Sequence, residues 1–366
     1  MDFTFSEEQE AFREVVRSVL ADFAPPTYVR EVLDHPTGCT VGFWETIAEL
    51  GWTGLLVPKG HGGAGFGMLE ITIVAEEMGR LPLPGPWLSS AVISTLTAVA
   101  LDDVALLPHL ADGSRRATLA LEETGTRHPL DGITTTATAA ADGSWTLTGH
   151  KPVVLDGHSA DVAYVVAQEP DGLAVFAVDA PAGELVPSLD VTREVARLVL
   201  DDRPARRVGP AGDQRQLLAR VVDDVGIALC AESVGACERA LQMAMDYAKA
   251  RVQFGRPIAT FQVIKHKLVD MLHQLELARV ATHYAAWASA VDDGERERAA
   301  AMAKGFVAEA ATMITGQSIQ VHGGVGFTWD LDCHLLFRRV KANDVLFGRQ
   351  AWQRQRLADL VIGPVS

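Results

Sequence analysis

Two stretches of the chain carry residues suited to gripping a phosphate-bearing ligand. Tyr247 to Met271 reads YAKARVQFGRPIATFQVIKHKLVDM, and Gln320 to Arg339 reads QVHGGVGFTWDLDCHLLFRR. Glycines at 323, 324 and 326 let a ligand approach the backbone closely, because no Cβ intervenes. Arg251 offers a planar fork of donors matched to phosphate oxygens. Gln253 and Gln320 add neutral hydrogen-bonding groups. The competing reading is a plain helix-to-helix turn, with Arg251 paired to a surface carboxylate. His266 and His273 lie seven apart on one helix without a third partner at metal spacing, so they read as surface or interface residues and no metal is expected. The four cysteines, Cys39, Cys230, Cys237 and Cys333, form no CxxC pair and read as reduced structural thiols of a cytoplasmic protein. The Arg338-Arg339 pair fits a helix-surface ion pair at least as well as a phosphate site.

The elements that must position these groups fall into blocks. Ser6 and Gln9 make a capping box ahead of the helical spacing Phe12, Val15, Val16, Val19 and Leu20. Trp44, Ile47, Ala48 and Leu50 continue helical spacing up to Gly51, and an amphipathic helix is expected over Leu69 to Met78. Between them, GLLVPKGHGGAGFG is a glycine-rich loop but not a P-loop, because Lys59 precedes the glycines and no GK[ST] follows. The uncharged stretch from Leu81 to Leu101 is expected to be a buried helix after a proline-rich turn, not a membrane span. From about Arg116 to Pro210, short Val-, Thr- and Ala-rich runs alternate with turns at Asp142-Gly143 and Pro170-Asp171-Gly172, which predicts a small antiparallel β-domain. Helical periodicity then returns to the end, with Ile264, Leu268, Met271, Leu272, Leu275 and Val280 on one expected stripe. Helices, then strands, then helices argue for an α+β fold with domains at 1–114, 115–212 and 213–366.

Bulk properties narrow the class of function. The 366 residues include 47 acidic and 32 basic side chains, for a formal net charge of −15. Without a dense basic block, so acidic a chain is a poor partner for nucleic acid or an anionic membrane. The start of the chain, MDFTFSEEQEAF, lacks the basic and apolar regions of a signal peptide.

The two C-terminal stretches resemble the signatures of the acyl-CoA dehydrogenase family: Tyr, Arg and Gln-Phe-Gly in the first, Gln-x-x-Gly-Gly-x-Gly in the second. Weaker similarities lie in LGWTGLLVPKGHGGAGFG, in Glu76-Glu77-Met78-Gly79-Arg80, and in the Gly-x-Lys segment of WTLTGHK. The resemblance implies an N-terminal helical domain, a central antiparallel β-domain and a C-terminal four-helix bundle. It implies FAD as cofactor and an acyl-CoA thioester as substrate, with electron-transfer flavoprotein as a possible acceptor. By resemblance, Arg251, Gln253, Phe254, Gln320, Gly323 and Gly324 would contact the ADP half of an FAD held mainly by a neighbouring subunit. His322 would line the entrance to that cofactor.

The chain departs from the family on the reactive side. The family removes a proton alpha to the thioester with a carboxylate, most often in a Tyr-Glu-Gly-Thr stretch. Counting from Arg338-Arg339-Val340-Lys341, that base position falls on Phe347. A second family position for the base falls on Val225, leaving Asp224 next door and Glu232 two turns on as weak candidates. The family's Leu-Thr-Glu-Pro loop aligns with Leu121 to Pro129, which puts Glu122 where a hydroxyl would meet the flavin. Val153 and Leu155 replace an aromatic and a hydroxyl. The expectation is therefore the non-catalytic subunit of a heteromeric enzyme, resembling the actinobacterial heteromers of the family. The alternatives are a homo-oligomer (dimer of dimers) with a relocated base at Asp224 or Glu232, or a flavin monooxygenase or scaffold on the same fold.

Overall fold

The computed structural model describes residues 5–25, 27–123 and 128–363. The first block holds α1 (Glu7–Phe23), α2 (Tyr28–Glu31), α3 (Val41–Glu49), α4 (Met68–Gly79), α5 (Thr95–Ala100) and α6 (Leu107–Ala111). The strands follow: β1 (Ala117–Ala120), β2 (Thr136–Ala139), β3 (Trp145–Leu155), β4 (Val162–Glu169), β5 (Gly172–Asp179), β6 (Glu184–Val186) and β7 (Val195–Val208). The last block is α7 (Arg215–Ala250), a hairpin of β8 (Val252–Gln253) and β9 (Arg256–Pro257), then α8 (Gln262–Ala290), α9 (Arg296–His322), α10 (Cys333–Val345) and α11 (Gln350–Ile362). This is the order of blocks expected from the sequence.

The chain forms two compact units, and the division falls inside α7 between Val225 and Gly226. One unit comprises residues 1–29, 68–83 and 226–366. In it α9 is the central helix, packed against α8, α10 and α11. The capping box starts α1 as its residues require: Ser6 Oγ accepts from Gln9 N–H and the Gln9 side chain accepts from Ser6 N–H. The α4 helix is buried on nearly every side rather than amphipathic. Its Glu76 and Glu77 tolerate burial because arginines meet them. Arg13 and Arg279 each lie 3.2 Å from Glu76, and Arg17 lies 2.7 Å from Glu77. The expected stripe of α8 is corrected in part. Met271 and Leu275 are buried, but Leu272 and Val280 face outward at 47 % and 53 % exposure, together with Val269 and Leu277.

The other unit comprises residues 30–67 and 84–225. Its β-sheet is largely antiparallel, but β1 runs parallel to β4, which corrects the purely antiparallel expectation. Parallel pairing needs a long crossover connection, and the β2–β3 hairpin lies within the chain that joins β1 to β4. Ala120, Leu147, Val165, Phe176 and Leu198 build the core between the strands. The uncharged stretch after the prolines is buried as expected, but Trp87–Ser94 is a π-helix before α5 begins. No helix among the described residues is long and apolar enough to cross a membrane.

Candidate functional site

The first unit brings the two signature stretches to one end of its bundle. Tyr247 in the last turn of α7 and His322 at the end of α9 place their rings 4.6 Å apart. Ser318 Oγ on α9 donates to Ala240 O on α7 at 2.8 Å, locking the same pair of helices. Four residues beyond Tyr247 stands Arg251, and directly after His322 comes the glycine turn Gly323–Phe327. His322 itself is buried, with Nδ1 2.8 Å from Ser318 O, so it is a packing residue of the helix end and not an open lining group.

The glycines divide by role. Gly326 is packed by the chain itself, because a Cβ there would stand 2.9 Å from Ile319 O. Gly323 closes α9 at φ +67°, a conformation that L side chains rarely adopt. Gly324 has neither reason: its φ is not positive, and nothing lies within 4 Å of a Cβ built on it. The room it leaves is open to an outside group.

The β8–β9 hairpin turns through Phe254 at φ +53° and Gly255 at φ +78°. A bulky residue in the left-handed region costs about 1–2 kcal/mol. Phe254 is nevertheless 90 % exposed, touching Phe261 edge-on at a ring separation of 6.1 Å. Arg251 and Gln253 are exposed beside it, and Gln320 is exposed on α9. The Arg251 guanidinium makes no ion pair or hydrogen bond among the described residues, so the surface-carboxylate reading has no partner there. His266 and His273 are exposed on α8, and the described residues hold no group of metal ligands.

Phe347, at the expected base position, is buried at φ +53°. The following Gly348, at φ +98°, lies against the Trp352 ring, which a Cβ there would meet at 2.5 Å. Glu232 is held in a buried network: Arg339 Nη1 donates to it at 2.6 Å and Asn343 Nδ2 at 2.8 Å. Arg339 also donates to the carbonyls of Pro82 and Leu83 and is 1 % exposed. The surface reading of the Arg338-Arg339 pair is thereby corrected for Arg339, which anchors helices from inside. Replacing Glu232 with Gln removes the charge but keeps hydrogen-bonding oxygen, so a loss of about 1–3 kcal/mol in unfolding free energy is expected. Denaturant titration measures it.

In the second unit, the loop expected to face a flavin is tied to the sheet. Lys151 Nζ donates to Glu123 at 2.7 Å and to Leu121 O at 3.0 Å, and both side chains are essentially inaccessible. Glu123 also accepts from the backbone of Thr134 and Thr135. Burial pushes the Glu123 carboxyl up, but Lys151 and these hydrogen bonds outweigh it and hold it at about 2. Burial pushes Lys151 down to about 8, against the pull of Glu123. Glu122 adjoins this pair, and the aligned residues 124–127 lie outside the described residues. Val153 is 39 % exposed and Leu155 is buried. Asp223 is buried and Asp224 half-buried on the part of α7 that belongs to this unit.

Sequence reasoning missed the Glu123–Lys151 and Glu232–Arg339 pairs, and also Asp156. Burial raises the Asp156 carboxyl to about 6; Ser89, donating at 2.5 Å, opposes the shift and Glu194 adds to it. A raised carboxyl destabilises the fold above its folded value and not below the unfolded one. Asp156→Asn is therefore expected to stabilise the protein by about 1–2 kcal/mol at pH 8 and to have no such effect near pH 4. Melting curves at the two pH values test this.

Residues 6–104 match the acyl-CoA dehydrogenase N-terminal domain, and residues 224–362 match the acyl-CoA dehydrogenase C-terminal domain. Acyl-CoA dehydrogenase IpdE2 of Mycobacterium tuberculosis is 30 % identical over 336 residues, covering 91 % of each chain. The chain belongs to the acyl-CoA dehydrogenase family. Members of this family are FAD-dependent oxidoreductases. Among solved structures, the ChsE4-ChsE5 complex of Mycobacterium tuberculosis superposes with a TM-score of 0.87 at 28 % identity over 100 % of both chains. The G363A variant of the Tcur3481-Tcur3483 steroid ACAD gives 0.86 at 31 % identity, over 97 % of this chain and 98 % of that one.

Proposed function

We propose that this chain is the non-catalytic subunit of a heteromeric acyl-CoA dehydrogenase. It would lend Arg251, Gln253, Phe254, Gln320, Gly323 and Gly324 to the ADP half of an FAD seated in a homologous partner. The observation that carries this reading is Gly324, a glycine that the chain's own packing does not require, together with an exposed Arg251 that has no ion pair or hydrogen bond among the described residues and a strained, exposed Phe254. When bound, FAD supplies the hydride acceptor for alpha,beta-dehydrogenation of an acyl-CoA thioester. Here Arg251 would hold pyrophosphate oxygens with its fork, and the backbone at Gly323 and Gly324 would approach them.

The reactive half does not fit a working site in the same chain. The position expected for the base is a buried phenylalanine, and Glu232 is engaged by a buried guanidinium. A base must reach the proton it takes, and an ion-paired carboxylate inside a helical bundle is poorly placed for that. Asp224 remains the weaker site for a relocated base in a homo-oligomer. An anionic Glu122 near a flavin would oppose the negative charge that builds on reduction. The exposed apolar face of α8, with Val269, Leu272, Leu277 and Val280, fits burial against another subunit. Similarity to the ChsE4-ChsE5 complex supports a partner that is a different chain of the same family.

Co-expression with a homologue that carries the carboxylate tests the proposal. A co-purifying complex with one FAD per two chains is the expected result. A homo-oligomer with one FAD per chain that oxidises thioesters would sink it.

A further inference from the structure

Within the second unit a cavity of about 330 Å³ lies among residues 35–44, 113–116 and Asp161. That volume is at the lower end of the range for small-ligand sites. Its walls are fixed by hydrogen bonds that hold them in place without a ligand. Trp44 Nε1 donates to Gly113 O at 2.9 Å, which sets the indole as one wall. Thr37 Oγ1 donates to Cys39 O at 3.0 Å, and His158 Nε2 lies 2.7 Å from Pro36 O, which pins the rim loop from beneath.

Two of the polar residues lining this space, His35 and Arg116, can donate into it. His35 Nδ1 accepts from Thr37 N–H at 3.3 Å, so the ring proton sits on Nε2 and remains available to donate. The Arg116 guanidinium has no ion pair or hydrogen bond among the described residues, although the Arg116 backbone is fully used by Asp161 and Val162. The one acid in the lining, Asp161, turns Oδ2 to the Arg116 backbone N–H at 2.7 Å. Val41, Cys39 and Trp44 supply the apolar surface.

We propose that this cavity binds a small organic anion, with its carboxylate or phosphate on Arg116 and His35 and its apolar body against Trp44 and Val41. A guanidinium left unpaired in a preformed apolar depression is a charge without a counter-ion, and an anion with a flat apolar part satisfies both surfaces at once. The site shares no residue with those proposed to meet FAD and does not depend on them.

The experiment is calorimetry on the full-length chain with benzoate, phenyl phosphate and neutral benzyl alcohol, repeated on Arg116→Gln and Arg116→Lys. Either anion should bind, and Arg116→Gln should weaken it about tenfold, the equivalent of about 1.4 kcal/mol. Arg116→Lys should fall between, because it keeps the charge and loses the fork. Tighter benzoate points to a carboxylate ligand and tighter phenyl phosphate to a phosphate ester. Melting curves of both variants should match the parent, since the side chain makes no hydrogen bond or ion pair among the described residues. Equal binding by Arg116→Gln, benzyl alcohol binding as tightly as the anions, or no binding of either anion would overturn the proposal.

Discussion

Glu123→Gln is expected to destabilise the protein by about 3–5 kcal/mol, because it strands a buried ammonium. Lys151 is 0 % exposed, and among the described residues its charge is met by Glu123 and the Leu121 carbonyl. Glutamine offers one carbonyl oxygen in place of two anionic ones, and it must still serve Thr134 and Thr135. Lys151→Met should cost less, since the carboxylate it leaves behind keeps its hydrogen bonds from Thr134 and Thr135, whereas Glu123→Gln leaves the ammonium the Leu121 carbonyl and a neutral amide. The pH dependence has a definite sign. Glu123 titrates near 2 in the fold against a reference of 4.5, so its stabilisation is complete above 4.5 and is lost as pH falls toward 2. Lys151 titrates near 8 against 10.5, so the unfolded chain holds the extra proton between those values and stability rises with pH across that window. The part of the acid limb that belongs to Glu123 should vanish in Glu123→Gln, while that of Glu76, whose carboxyl is also held below its ordinary value, remains. Urea unfolding of parent and variant from pH 2 to 10 checks both parts.

The second large effect concerns the partner. In the co-purified heteromer, Arg251→Ala is expected to weaken FAD retention about 100-fold, the equivalent of about 2.7 kcal/mol, as for loss of a charge-assisted contact to phosphate. Arg251 is exposed and carries no internal ion pair among the described residues, so the variant chain should fold as stably as the parent. Loss of flavin with unchanged melting of the isolated subunit separates cofactor binding from folding. Arg251→Lys should recover only part of the affinity, because a point charge does not replace the fork. Equilibrium dialysis of FAD against the complex provides the number. Unchanged retention in Arg251→Ala would remove this residue from the cofactor account.

Much of the fold was legible because local signals agreed with it. Ser6 and Gln9 cap the first helix as their spacing demands, and Asp142-Gly143 closes the β2–β3 hairpin. The π-helix at Trp87–Ser94 was not legible. An uncharged segment buried on all sides has no polar face, so periodicity cannot distinguish an i→i+5 turn from an i→i+4 turn. The parallel pairing of β1 with β4 was hidden for a different reason, since alternation of side chains reports which face is buried and not the strand's direction.

At the candidate site the residue types were readable but their environments were not. Glu123 and Lys151 stand 28 positions apart, and no local pattern says that they meet. Arg339 reads as a surface residue within Arg-Arg-Val-Lys, yet it is among the largest fully buried side chains because Glu232 lies opposite on α7. The three glycines of the second signature look equivalent in sequence, and only their surroundings separate the packed Gly326 from the open Gly324.

Anaerobic titration of the purified lone chain with FAD and an acyl-CoA thioester addresses the main claim most directly. The account predicts a colourless protein that retains no stoichiometric flavin and forms no enoyl product until the homologous subunit is added. A yellow lone chain whose flavin bleaches on addition of the thioester would contradict it.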